Sequence, residues 1–120
     1  ASDVYKRQGN NYSYQGYWNN GSSFAQINAT STNSMQGYNS AASTGSNRFS
    51  AIVIDIFDVN QTNKYKVANY QSGFSNNGTS PQGSWLLTGT WKNTNAITSI
   101  TIKANTAFAQ YSFVALYGIV

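Results

Sequence analysis

The chain has 120 residues, enough for one domain that buries on the order of two-thirds of its surface, and carries a net charge of +4 with only 8% charged residues. It contains no Cys, His or Glu, which excludes disulfides, thiolate metal sites and the usual general acid–base groups. No apolar stretch is long enough for a helix to cross a bilayer, and Arg48, Lys64, Lys66, Lys92 and Lys103 are scattered rather than clustered, unlike a surface that neutralises the phosphates of a nucleic acid.

Residues 1–8, Ala1-Ser2-Asp3-Val4-Tyr5-Lys6-Arg7-Gln8, match in one reading frame a transposase adapter ligated to DNA fragments before shotgun sequencing. The expectation is that they replace native upstream sequence, and that residues 9–120 are the C-terminal part of a single β domain. Without them Lys+Arg falls from 7 to 5 and Asp+Glu from 3 to 2, so the net charge becomes +3.

Strand formers then follow in short runs parted by Asn, Gly and Ser. Asn11 to Trp18 places Tyr12 and Tyr14 on one face and ends in the turn Asn19-Asn20-Gly21. Ser23 to Asn28 is a short strand, Asn33 to Tyr38 a weaker one, and Asn39 to Asn47 a small-residue loop. Arg48 to Val59 alternates Phe49, Ala51 and Val53 with Ile52, Ile54 and Ile56, a pattern that predicts a central strand buried on both faces. Tyr65 to Ser72 is the next strand. A loop over residues 75–83 leads to Ser84–Lys92, with Trp85, Leu87, Gly89 and Trp91 in register. Ala96 to Lys103 and Ala107 to Ile119 complete the strands. Hairpin-length connections make the whole antiparallel, and the turn spacing predicts an all-β, jelly-roll-like β-sandwich.

Little in this chain can do chemistry. After trimming, only Asp55 and Asp58 are acidic, and residues three apart on a strand face opposite sides. A serine nucleophile has no histidine to activate it, so no catalytic residue and no cofactor are assigned and the chain is read as non-enzymatic. Asp58, Asn60 and Asn63 offer hard oxygen ligands for Ca²⁺, against the plainer reading of Asp58 to Asn63 as a turn held by local Asx hydrogen bonds. Asp55 needs a partner or a solvated position, with Lys66 or Arg48 as candidates. Tyr17, Trp18, Asn19 and Asn20 form the candidate ligand site: aromatic faces stack on a sugar ring while amides bond its hydroxyls. The alternative places those rings in the core or between subunits.

Several stretches carry a resemblance. Trp91 to Ile102 and Phe113 to Ile119, together with Asn11-Tyr12-Ser13-Tyr14, Asn20-Gly21-Ser22-Ser23 and Ile54-Asp55-Ile56-Phe57-Asp58, resemble a family of virion structural or tail-fibre proteins from tailed bacteriophages of aquatic bacteria. The resemblance spans Gly9 to Val120. It implies a location on the virion surface, outside the cell, and contact with other virion proteins rather than nucleic acid or membrane. Family members carry further strands upstream, and no agreed catalytic residues carry over. A homo-oligomer is expected, with a trimer favoured. The expected function is a non-catalytic structural, decoration or adhesion module; the alternatives are a receptor-binding module for a host surface glycan and a secreted carbohydrate-binding module.

Overall fold

The structure, a computed structural model, describes residues 9–38, 49–75, 82–104 and 107–119. Five strands form one sheet: β1 (Tyr12–Asn19), β2 (Phe24–Thr32), β3 (Ala51–Ile56), β4 (Lys66–Phe74) and β5 (Gly83–Trp91). Their order is β2-β1-β5-β4-β3, and every neighbouring pair is antiparallel. The protein is all-β, with no helix among the described residues.

Local chemistry fixes the β1–β2 turn. The Asn20 side-chain oxygen accepts the amides of Ser22 and Ser23 at 3.0 and 2.7 Å. Gly21 takes φ +89°, a left-handed conformation that a glycine adopts without steric cost. Further along, Tyr12 opposes Thr32 while Tyr14 opposes Ala29, so β2 carries one extra residue. Ser31, at φ 57°, lies in that bulge.

Period-two alternation gives the sheet a covered face and an open face. Tyr14, Leu87, Ala68, Ser72 and Lys66 are buried on the covered face. Residues 33–38 cross that face as a strap. Met35 lies where a side chain on Gly89 would be, so the strap depends on glycine there. The Tyr14 hydroxyl donates to Gln36 Oε1 at 2.9 Å, and the Tyr70 hydroxyl donates to the Tyr38 carbonyl at 2.8 Å, as does Ser72 Oγ. The Tyr38 and Phe74 rings each stack with Trp85, at 5.9 and 5.7 Å between centroids, a geometry with favourable energy beyond area burial.

Lys66 is 1% exposed and opposes Trp91 across the β4–β5 ladder. Its ammonium donates to the carbonyls of Lys64 and Thr94 at 2.9 and 3.0 Å. A buried ammonium has to be hydrogen-bonded, and these carbonyls tie the segment after β5 back to β4. Ile97 N–H continues the join by donating to Val59 O at 2.8 Å.

Several sequence expectations change. The Arg48–Val59 strand, predicted to be central, is the shorter β3 at the sheet edge, with Ile52, Val53 and Ile54 exposed. Apolar residues on both faces report a need for burial without saying which neighbour supplies it. The segments 96–103 and 107–119 join no ladder among the described residues, and Asn33–Tyr38 is the strap rather than a strand. Asp55 is exposed opposite Asn69 on the open face, so Lys66, buried on the other face, is not its partner. Residues 1–8, Arg48, the loop over 39–47 and most of the loop over 75–83 lie outside the described residues.

Candidate functional site

The strand register writes the open face in rows. Asn28, Gln15, Thr88, Asn69 and Asp55 stand opposite one another in turn across all five strands, and all five are exposed. At a strand separation of about 4.8 Å the row runs for roughly 19 Å. Within it Thr88 Oγ1 donates to Asn69 Oδ1 at 3.0 Å. The neighbouring row is Gln26, Tyr17, Leu86, Gln71 and Val53, also exposed throughout. Five carboxamides, Asn28 and Gln26 on β2, Gln15 on β1, and Asn69 and Gln71 on β4, thus surround the apolar side chains of Tyr17 and Leu86.

An aromatic pair marks the β1–β2 end of this face. Tyr17 and Phe24 are 45% and 63% exposed, with ring centroids 5.2 Å apart and planes inclined by 34°. They border a shallow depression of about 390 Å³ with Gln15, Gln26 and Asn28. Carboxamides supply donors and acceptors without charge, and the rings supply apolar faces. That combination suits a neutral, hydroxyl-rich ligand with one apolar side.

The four sequence-predicted ligand residues do not form one cluster. Tyr17 and Asn19 reach the open face, whereas Trp18, one residue on, points to the covered face and is half-buried opposite Trp85 and Ala25. Adjacent strand residues always divide in this way. The Asn19 and Asn20 side-chain oxygens accept amides of the turn, Gly21 for the first and Ser22 and Ser23 for the second. Both residues also line a depression of about 330 Å³ with Phe74, Gln82 and Ser84. Phe24, which the sequence reading passed over, is the ring that accompanies Tyr17. The signal for it is the hairpin register: once Asn19 opposes Phe24, Tyr17 opposes Gln26 and has Phe24 as its diagonal neighbour.

The Asp58 to Asn63 region is organised as a turn. Asp58 has φ 57°, its carbonyl accepts Gln61 N–H at 3.0 Å, and its carboxylate pairs with Lys64 Nζ at 2.9 Å. The lysine places a positive charge on the oxygen that a cation shared with Asn60 and Asn63 requires. Among the described residues no three His, Cys, Asp or Glu side chains group to hold a metal, and no helix is long and apolar enough to cross a membrane.

Fold and face together define an all-β protein whose described residues form an antiparallel sheet, covered by its own strap on one side and amide-rich on the other. Comparison with family models, with curated proteins and with solved structures finds no match for this chain.

Proposed function

We propose that the chain is a non-catalytic surface module of a bacteriophage virion, a structural and adhesion element whose open sheet face meets a neutral glycan. The resemblance of Trp91–Ile102 and Phe113–Ile119 to virion proteins supports the location. The single observation that carries the adhesion role is the exposed Tyr17–Phe24 pair beside Gln15, Gln26 and Asn28. In this reading, residues 92–104, tied back through Thr94 to Lys66 and through Ile97 to Val59, begin a second layer over the apolar side of β3, giving an antiparallel, jelly-roll-like sandwich in contact with other virion proteins.

Titration with a panel of neutral hexasaccharides, followed by intrinsic fluorescence and by calorimetry, tests the glycan role. Tyr17→Ala and Phe24→Ala are expected to weaken binding about tenfold each, the equivalent of roughly 1.4 kcal/mol. Trp18→Phe, on the covered face, is expected to leave affinity unchanged. A panel without a binder, or a binder indifferent to Tyr17 and Phe24, favours a purely structural decoration or fibre role. Exposed apolar side chains after residue 107 are the observation on that side. Immunogold labelling of phage particles separates both from a secreted carbohydrate-binding module.

A further inference from the structure

Among the described residues two surfaces of this chain have no partner, and they match one another. The first is the outer side of β3. It is an edge strand of sequence Ala-Ile-Val-Ile-Asp-Ile, with Ile52, Val53 and Ile54 exposed at 42%, 58% and 42%. Edges that stand alone in water are normally guarded by lysines, a proline, a bulge or a covering loop. Among the described residues β3 has none of these, and its single charge is Asp55.

The second surface is the segment 107–119. Ser112 N–H bonds to Ala109 O, and Tyr111 takes φ 69°. This bend sets off residues 113–119, which make no backbone hydrogen bond among the described residues. Phe113, Val114, Leu116, Tyr117 and Ile119 are 89%, 68%, 84%, 84% and 97% exposed, and residues 107–119 carry no charge. Apolar residues on both faces of an extended stretch are the pattern of a strand buried on both sides.

We propose that residues 107–119 form an exchange arm that adds as a further strand to the β3 edge of a second copy of this chain. The lengths fit: seven residues at about 3.3 Å each span roughly 23 Å, against about 20 Å for six-residue β3. Strand addition satisfies the outward amides and carbonyls of both segments, and side-chain alternation supplies the contacts. Phe113 and Tyr117 alone present on the order of 300–400 Å². Burying them with Val114, Leu116 and Ile119 against an equal area brings the contact into the ~1,200–2,000 Å² range of stable associations. Every copy has one arm and one β3 edge, so two copies can exchange arms reciprocally, or copies can join head-to-tail into a ring where the rotation closes, as in a trimer. The inference stands apart from the glycan reading, because Tyr17 and Phe24 lie on β1 and β2 at the opposite end of the sheet order.

The absence of native cysteine makes the test clean. Full-length Val53→Cys and Leu116→Cys variants are mixed and treated with a short bismaleimide, and the double variant is treated alone. The expected result is a crosslinked species of twice the chain mass containing one copy of each variant, a ladder from the double variant, and an oligomeric mass by light scattering. Ile54→Lys is expected to reduce that mass to a monomer while the far-ultraviolet circular dichroism stays β-type. Crosslinks of the double variant confined to one chain overturn the proposal, because the chain's own arm then fills the edge. So do a monodisperse monomer and an absence of crosslinks when both thiols react with a monofunctional maleimide.

Discussion

The same strands build both faces of the sheet, yet the two faces obey different rules. On the covered face Leu87, Ala68 and Tyr14 exclude water under the strap, and Lys66 and Ser72 are buried only with hydrogen-bond partners. On the open face Gln15, Thr88 and Asn69 stand in water, and only local contacts such as Thr88 to Asn69 join them. The difference separates stability from recognition: substitutions on one face should act on folding, and those on the other on ligand binding.

Two adjacent leucines give the sharpest test. Leu87 is 2% exposed and Leu86 is 42% exposed. Leu87→Ala should destabilise the protein by about 2–5 kcal/mol, through lost transfer energy and the cavity left behind. Leu86→Ala should cost no more than about 1 kcal/mol, as surface substitutions do. Urea unfolding of the two variants measures both, and equal losses would mean that the open face is covered too.

Lys66→Met is expected to rank next. It keeps the apolar stem but leaves the Lys64 and Thr94 carbonyls without their charged donor, an effect of about 1–3 kcal/mol. Loosening should be local at first, so hydrogen exchange at the Ile97 amide, which donates to Val59 O, should accelerate before β1 and β5 respond.

The alternating pattern made β1, β4 and β5 legible, because on those strands each apolar side chain meets a neighbour within the sheet. Arg48–Val59 misled because periodicity detects a demand for burial on both faces, whereas the sheet order leaves β3 with one neighbour. The same demand in 107–119 predicted a strand that finds no ladder among the described residues. At the candidate site Tyr17 was legible as an aromatic beside amides. Trp18 is its neighbour in sequence but faces away because strand residues alternate, and Phe24 comes near Tyr17 only through the hairpin register, which composition does not show.

Alkaline pH should act on the covered face through Tyr14 and Tyr70. Burial raises the Tyr14 phenol above the ordinary tyrosine range, with a smaller contribution from Tyr38. Burial also raises that of Tyr70, partly offset through hydrogen bonds with Ser72 and the Tyr38 backbone. The unfolded chain therefore loses these protons first, near pH 10. Below that pH the contribution to stability is complete; above it, the unfolded state binds fewer protons and stability falls until the folded phenols ionise. Denaturant midpoints from pH 8 upward should show the decline, and Tyr14→Phe with Tyr70→Phe should flatten it.

The smallest expected effect on folding is that of Thr88→Val, and it tests the open face most directly. The substitution keeps a β-branched side chain, and with it the strand's χ1 preference, while removing the hydroxyl that donates to Asn69 Oδ1. Because both residues are exposed, water replaces the lost partner and stability should change by less than about 0.5 kcal/mol. The same change places a methyl group in the middle of the row from Asn28 to Asp55. A glycan lying along that row would lose one hydrogen bond, equivalent to roughly 1 kcal/mol or a fivefold weaker affinity. Loss of affinity at constant stability would establish the row as a binding surface. Loss of stability on the scale of Leu87→Ala would instead show that another layer dries this face, and the division between the two faces would fail.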